Sequence, residues 1–228
     1  MPDLNHLFLY EEIMLLALRN EKGTVATGYS EHAVGGAVLA ELLLDGRIAI
    51  DDTRKQLVDI HSADPTGDPI IDECMERMTT SKRRASLKTW VSRLAGTKNL
   101  RHDVARQLCN RGIVRADEST VLFMFTRKVY PEINPVPERK IVERLRAAIF
   151  SDVIRLDPRT VVLISLANGV DLLGATFGRK EIRTRKQRIE QIINGEMTGK
   201  ATREVIAACQ TAAMVAVIMS ASIASTSN

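Results

Sequence analysis

The pattern of apolar and polar residues predicts a mainly α-helical fold with two short β-hairpins. Most of the chain consists of apolar segments with helical length and periodicity. Two segments instead carry short β-type runs around polar turns. With 228 residues, of which 45% are hydrophobic and 26% charged, the chain can bury a core as one large domain or two small ones, without metals or disulfides.

The helices are predicted in chain order from caps and apolar spacing. Leu7–Leu18 is apolar apart from Glu11 and Glu12, and a second helix begins at 30–31, where Ser30 is a suitable cap, and ends at Gly46. The other segments with helical pattern are Asp68–Met78, Ser86–Leu94, Leu100–Arg111, Pro137–Ile154, Arg159–Leu173, Arg179–Ile193 and Thr202–Ile223.

Each predicted hairpin follows a helix and a glycine. RIAIDDTRKQLVDI comes after Gly46, and GIVRADESTVLFMF begins at Gly112. A helix followed by a hairpin is also the plan of a winged-helix DNA-binding unit, although it is a general way to reverse a chain. The residues before Gly46 are apolar or acidic, which disfavours contact with phosphate, whereas those before Gly112 include Arg101, Arg106 and Arg111. Nucleic-acid binding through such units remains the alternative function.

The chain is predicted to remain in the cytoplasm. Its three cysteines lack CxxC spacing, which favours a reducing compartment, and the N-terminus has no basic region typical of a signal peptide. The 19 uncharged residues Val205–Ile223 approach the length of a membrane span. They are rich in Ala and Ser and have no aromatic belt and no basic flank at the C-terminal end, so we favour a buried core helix.

The sequence contains no recognisable catalytic motif. Its four histidines show no zinc-binding spacing, and neither a phosphate-binding glycine loop nor a nucleophile elbow occurs. Four acids, Asp68, Asp72, Glu73 and Glu76, are spaced to share a helix face and would suit a divalent cation. We favour instead an acidic first helical turn stabilised by the helix dipole. The prediction is a non-catalytic protein without cofactor or metal.

Positive charge is concentrated in FGRKEIRTRKQRI, residues 177–189. Between positions 179 and 188, six basic residues and one acid give six minus one, or +5, in a chain whose net charge is +4. The basic residues are Arg179, Lys180, Arg183, Arg185, Lys186 and Arg188. We predict that they contact an anionic membrane surface, at about 1 kcal/mol each. The alternative is a solvated helix whose charges only keep the protein soluble.

Helical phasing separates these charges. In a helix over Arg179–Ile193, four isoleucines fall on one stripe, namely Ile182, Ile189, Ile192 and Ile193. Arg179, Arg183 and Lys186 then lie on one flank of the stripe, and Arg185 and Arg188 lie on the other. Such a helix can pack its stripe on a core and present long basic side chains outward. No aromatic residue is interleaved with the charges, and this disfavours nucleic acid as the partner.

Several ordered blocks of the sequence resemble one known family. They are LFLYEEIMLLALRNEKGT, AVLAELLLDGRI, ADPTGDPIIDE (63–73), LKTWVSRLAG, VARQLCNRGIV and DPRTVVLISLANGVDLL (157–173). In this order and spacing, they resemble the Golgi phosphoprotein 3 family from about Leu7 to the C-terminal helix. The resemblance implies a single domain over 1–228, with a helical core and small peripheral β-hairpins; residues 224–228 are predicted to be a flexible tail.

Members of that family are non-catalytic peripheral membrane proteins. The best-known eukaryotic ones bind the headgroup of phosphatidylinositol 4-phosphate and hold cytoplasmic tails of Golgi glycosyltransferases. Their headgroup pocket uses a Trp and an Arg early in the chain and two basic residues three positions apart. Here the first basic position falls on Arg155 and the second on Pro158, with Arg159 beside it. The early Arg falls on Gly35, and the Trp has no counterpart, Tyr29 being the nearest aromatic.

The predicted function follows from this partial match. Arg155 and Arg159 are the predicted headgroup-binding residues, and specificity for phosphatidylinositol 4-phosphate is not expected because two pocket arginines are missing. For Arg155, the alternative is an ion pair with Asp152 or Asp157. The hydrophobic hairpin of eukaryotic relatives is shortened here, which leaves Phe177 as the candidate for shallow insertion.

The sequence therefore predicts a cytoplasmic, peripherally membrane-associated adaptor. Its expected partners are an anionic phospholipid surface and cytoplasmic tails of membrane proteins, and homo-oligomerisation is compatible with the resemblance. The departures from the family pattern suit a prokaryotic or other distant member. A pure protein-interaction scaffold is a further alternative.

Overall fold

The structure is a computed structural model and describes residues 6–19, 24–25, 31–51, 53–121, 125–196, 207–211, 214 and 218. Its helices are α1 Leu9–Ala17, α2 Glu31–Leu44, α3 Pro69–Thr79, α4 Leu87–Ala95, α5 Leu100–Asn110, α6 Val136–Phe150, α7 Pro158–Gly169, α8 Leu172–Phe177, α9 Arg179–Thr184 and α10 Lys186–Ile193. The strands are β1 Leu18–Arg19, β2 Thr24–Val25, β3 Ile48–Ile50, β4 Val58–Ile60, β5 Asp117–Val121 and β6 Phe125–Val129. The predicted mainly α-helical fold is confirmed.

Helix α1 lies at the centre of the described fold, because all of its residues are buried. Its start is fixed locally, since the Glu11 carboxylate reaches back to accept a hydrogen bond from the backbone N–H of Phe8 at 2.9 Å. Hydrophobic residues from α1 to α10, together with Cys209, form one continuous core around it.

Three buried glutamates join this centre to later parts of the chain. Glu11 pairs with Arg111 at the end of α5 (2.6 Å), and Glu12 pairs with Arg144 in α6 (2.9 Å). Glu41, in α2, pairs with Arg159 in the first turn of α7. The local sequence around each of these arginines did not predict that its side chain would pair with a buried glutamate.

The strands form three separate antiparallel pairs. The first predicted hairpin is confirmed, with Ile48 opposite Ile60 and Ile50 opposite Val58. It follows the turn at Gly46, whose φ of +66° lies in the left-handed region that favours glycine. The second hairpin begins later than predicted, at Asp117, because Gly112 closes α5 and Val114 makes only an isolated bridge to Glu132.

Three predicted helices have different ends. Helix α6 stops at Phe150 rather than Ile154, and α7 stops at Gly169, after which Asp171 adopts φ +58° and α8 begins. The predicted helix Arg179–Ile193 is two helices, since Arg185 lies outside helical geometry at φ −108° and ψ 12°. Its isoleucine stripe is nevertheless directed inward, with Ile189 and Ile192 buried.

The apolar C-terminal segment is described only in part. Residues 207–211, 214 and 218 are helical, and Cys209 is fully buried with its thiol 3.6 Å from the Ala40 carbonyl oxygen. None of the helices within the described ranges has the length and apolar character that a membrane crossing requires. The predicted flexible tail, 224–228, lies outside the described residues.

Candidate membrane-facing surface

An irregular loop, Ser151–Leu156, connects α6 to α7 and is defined here as the α6–α7 loop. It begins where Ser151 turns to an extended backbone (ψ 175°) and ends at Asp157, whose carboxylate accepts the backbone N–H of Thr160 at 2.9 Å and so caps α7. Within it, Val153 is 42% exposed and Ile154 is 83% exposed. The sequence prediction missed this feature because it extended α6 through Ile154.

Helix α10 holds this loop against the end of α6. Arg188 donates to the carbonyl oxygen of Ala148, from Nε at 3.3 Å and from a terminal nitrogen at 3.2 Å, and also to that of Val153. The last carbonyls of a helix have no partner within the helix, so the guanidinium supplies the missing donors. These bonds give Arg188 a structural role, which disfavours the predicted membrane contact; that contact stays a prediction.

Arg185 contacts the same helix end more loosely. It donates to the Phe150 carbonyl oxygen at 3.5 Å, and its guanidinium carbon lies 5.8 Å from the Phe150 ring centre. Its side chain remains exposed. Arg185 and Arg188 thus share a flank, as the phasing predicted, but that flank faces α6.

Phe177, the residue predicted to insert shallowly, is packed inside the protein. It is only 6% exposed, and its ring packs edge-on against Phe150 with 5.5 Å between ring centres. The Arg146 guanidinium covers both rings, 5.1 Å from Phe177 and 5.4 Å from Phe150. Insertion of Phe177 would require this packing to open, so the geometry disfavours it, and the membrane contact of Phe177 stays a prediction.

The remaining cations of α9 and α10 are exposed. Lys180 and Arg183 make no ion pair with any residue that the structure describes. Arg179 pairs with Asp171 at 2.7 Å and Lys186 lies 3.7 Å from Glu190, but the two basic side chains are 76% and 78% exposed. Such exposed pairs are weak and easily exchanged. We call Arg179, Lys180, Arg183 and Lys186 the basic surface.

Arg155 lies in the α6–α7 loop and is exposed. It forms no ion pair with the described residues, including Asp152 and Asp157, which were its alternative partners. Because Arg188 holds the loop at Val153, Arg155 lies two residues from a contact with α10. The loop is thus attached to the helix that also carries Lys186 of the basic surface.

The Arg159 side chain binds groups inside the protein. Its guanidinium bonds both carboxylate oxygens of Glu41 and the Leu7 carbonyl oxygen, the last at 2.5 Å, and its side chain is only 20% exposed. Glu41 also accepts the Leu9 backbone N–H at 2.6 Å. A headgroup phosphate would have to compete with these partners, so the geometry disfavours the headgroup role of Arg159, which stays a prediction. Pro158 occupies the first position of α7, where a proline needs no hydrogen-bond partner.

The other pocket positions are also unsuited to a headgroup. Gly35 lies where α2 packs on α4, and a Cβ atom there would be 3.2 Å from the Val91 carbonyl oxygen and 3.3 Å from Leu94 Cβ. No arginine fits at that contact. Tyr29, the nearest aromatic to the expected Trp, lies outside the described residues.

The arrangement of helix and hairpin does not produce two DNA-reading helices. In α2, every residue from Ala33 to Leu43 is buried, so this helix cannot enter a groove. In α5, Arg106 pairs with Asp103, and Arg111 beyond the helix end is only 8% exposed in its pair with Glu11.

The acidic segment 68–76 serves the local structure. Asp68 caps α3 by accepting the N–H groups of Ile70 and Ile71, and Asp72 accepts those of Thr66 and Gly67. Bonds from Thr66 and Gly67 hold the pKa of Asp72 below its usual value even though burial opposes them. Among the described residues there is no cluster of His, Cys, Asp or Glu that could hold a metal ion.

Comparison with protein families gives one match that spans most of the chain. The family model described as Golgi phosphoprotein 3 (GPP34) matches residues 9–209, from the buried α1 to the buried Cys209. This range contains the α6–α7 loop, the basic surface and all three buried Arg–Glu pairs. The chain therefore belongs to the Golgi phosphoprotein 3 family.

Proposed function

We propose that this protein is a non-catalytic peripheral membrane protein that binds anionic phospholipid surfaces through Arg155 and the basic surface. The single observation that carries the proposal is the exposure of Arg155, Lys180 and Arg183 without ion-pair partners among the described residues. Membership of the Golgi phosphoprotein 3 family also supports a peripheral membrane protein, which the resemblance in sequence implied.

The expected binding is electrostatic and weakly selective. Each basic residue near an anionic surface contributes about 1 kcal/mol, so Arg155 and the four residues of the basic surface together provide several kcal/mol. A specific headgroup pocket would require several converging donors, whereas Arg159 is bound to Glu41 and Gly35 faces α4. We therefore propose that membranes are selected by charge density rather than by phosphatidylinositol 4-phosphate itself.

In this role the protein acts as an adaptor at the cytoplasmic face of a membrane. Cytoplasmic tails of membrane proteins are the proposed second partners, on the strength of the family resemblance alone. The basic surface is the part of the proposal that is directly testable.

Vesicle co-sedimentation tests the proposal. The wild type is expected to sediment with vesicles that contain phosphatidylserine and not with phosphatidylcholine alone. Raising the salt concentration should weaken the binding, because the Debye length falls from about 10 Å at 0.1 M to 3 Å at 1 M. Vesicles with phosphatidylinositol 4-phosphate, matched for total charge, should bind equally well.

A charge-matched pair of variants localises the contact. Lys180→Glu/Arg183→Glu/Lys186→Glu reverses three exposed charges of the basic surface, and Lys82→Glu/Lys88→Glu/Lys98→Glu reverses three exposed lysines elsewhere. Both change the net charge equally. Only the first is expected to lower the partition coefficient, by about a hundredfold or more. Equal losses of vesicle binding in both variants would show that binding depends on net charge alone. No loss in either variant would refute the proposal.

A further inference from the structure

The α6–α7 loop exposes an unusual pair of side chains. Ile154, at 83%, has the highest exposure of any large hydrophobic residue that the structure describes, and its neighbour Val153 is 42% exposed. Single exposed apolar residues are common on protein surfaces. Two adjacent ones in an irregular loop, followed directly by an exposed arginine, are a different arrangement, because they place apolar surface and a cation side by side. We call Val153 and Ile154 the tip.

The tip is held in place at its backbone rather than through its side chains. Arg188 donates to the Val153 carbonyl oxygen, and Ser151 Oγ donates to the Ala147 carbonyl oxygen at 2.5 Å. The loop is thus fixed at two points, while the Ile154 side chain remains almost entirely in solvent. This fixation lowers the conformational entropy that would be lost when the tip enters another phase.

The cation beside the tip indicates which environment the tip enters. Arg155 follows Ile154 directly, and α10, which carries Arg188, continues the segment that bears the basic surface. An exposed apolar pair followed directly by a cation suits the boundary between the anionic headgroups and the acyl chains of a bilayer. An acidic protein groove would supply charge as well, but nothing in the described residues shapes the tip as one half of a protein interface.

We infer that Val153 and Ile154 form an insertion tip that enters the headgroup–acyl boundary of an anionic membrane while Arg155 and the basic surface contact the phosphates. This inference rests on the proposed function and adds an apolar, salt-resistant component to it. It assigns to the α6–α7 loop the insertion that the sequence had placed at Phe177.

Fluorescence quenching by brominated lipid tests the insertion directly. Ile154→Trp places a reporter on the tip, while the single native tryptophan, Trp90, is 4% exposed and provides a constant background. Ile133→Trp is the matched control, since Ile133 is also an exposed isoleucine (54%). It precedes α6, whose 15 residues separate it from the loop by about 22 Å.

The expected result is strong quenching of Trp at position 154 and none at position 133 when anionic vesicles carry bromine near the top of the acyl chains. Sedimentation of the Ile154→Trp variant without quenching would overturn the insertion and leave the proposed electrostatic binding intact. Failure of the wild type to sediment with anionic vesicles at any salt concentration would overturn both. Equal quenching at the two positions would show that the tip is not a specific contact.

A second pair of variants measures the contribution of the tip to binding. Val153→Ser/Ile154→Ser keeps the carbonyl that Arg188 holds, and Ile133→Ser/Val136→Ser removes a second exposed Ile and Val, which are 54% and 47% exposed. The loop variant is expected to bind anionic vesicles about tenfold or more weakly, with the residual binding abolished by high salt. The control should bind as the wild type does. Equal partition coefficients for the loop variant and the wild type, especially in high salt, would overturn the inference.

Discussion

Glu41 and Arg159, 118 positions apart in the chain, form an ion pair in which the glutamate side chain is 2% exposed and the arginine side chain 20% exposed. The pair joins α2 to the first turn of α7, and further bonds to Leu7 and Leu9 tie it to the start of α1. A residue that the sequence assigned to lipid binding therefore serves to assemble the core.

Removing Arg159 is expected to destabilise the fold rather than to weaken lipid binding. Arg159→Met leaves Glu41 buried without its cation, and breaking a buried pair in this way costs about 3–5 kcal/mol. Urea denaturation should show this loss, whereas Arg155→Ala, at an exposed position, should change the free energy of unfolding by less than about 0.5 kcal/mol. A stable Arg159→Met variant with impaired vesicle binding would return Arg159 to the headgroup site.

Two arginines of the 179–188 segment are expected to behave oppositely. Arg188→Ala removes charge-assisted bonds to Ala148 and Val153 and should lower the free energy of unfolding by about 1.5–3 kcal/mol. Arg183→Ala, which removes an exposed side chain, should leave stability unchanged and weaken vesicle binding by about 1 kcal/mol. Denaturation and co-sedimentation on both variants test this, and similar stability losses would contradict the division.

Restoring the family's early arginine is expected to fail. Gly35→Arg would force a long side chain into the contact between α2 and α4, where even a Cβ lies 3.2 Å from the Val91 carbonyl oxygen. We expect a loss of about 3 kcal/mol or more, with a smaller loss for Gly35→Ala, in which a better helix propensity offsets part of the crowding. Thermal or urea denaturation measures both. A variant as stable as the wild type with tighter binding to phosphatidylinositol 4-phosphate vesicles would contradict this.

The carboxyls of Glu138 and Glu132 predict a pH dependence of stability. Burial and the neighbouring Glu132 raise the pKa of Glu138 to about 7, from an ordinary value of 4.5. Because the folded state retains this proton at pH values where the unfolded chain has lost it, stability falls as the pH rises from about 4.5 to about 7. Glu138→Gln should remove that component.

The measurement compares denaturation curves across the same pH range. At pH 8, Glu138→Gln should exceed the wild type in stability by about 1 kcal/mol, a figure reduced for solvent screening of this half-buried group. At pH 4.5, the two should agree. Glu143→Gln, an exposed change in the same helix, is the control and should follow the wild type throughout. A constant difference across the range would rule out the proton linkage.

Local signals in the sequence were sufficient to predict helix ends and the buried face of a helix. Asp68 was placed at a helix start that the structure confirms, and Gly46 closes α2 with the positive φ that its position required. The isoleucine spacing of 182–193 correctly predicted an inward stripe even though the helix is broken at Arg185. These features depend on interactions between residues one or two helical turns apart, and the periodicity of the sequence shows such interactions directly.

The exposure of individual side chains in the candidate site was not predictable in the same way. Phe177 and Ile154 are both apolar residues beside arginines in the sequence, yet one is 6% and the other 83% exposed. The difference comes from Phe150 and Arg146, which enclose Phe177 from another helix, and from the early end of α6, which leaves Ile154 without a packing partner.

The sequence by itself determined the family, the helical fold and the concentration of positive charge in 179–188, because each is written in contiguous patterns or ordered blocks. Only the tertiary structure decided which charges are free. Arg111, Arg144 and Arg159 meet glutamates from α1 and α2, and Arg188 meets the end of α6, whereas Arg155, Lys180 and Arg183 meet no acid among the described residues. The physical reason is that an arginine's role is set by the acceptors that folding brings within hydrogen-bonding distance, and these lie up to 152 positions away in the chain.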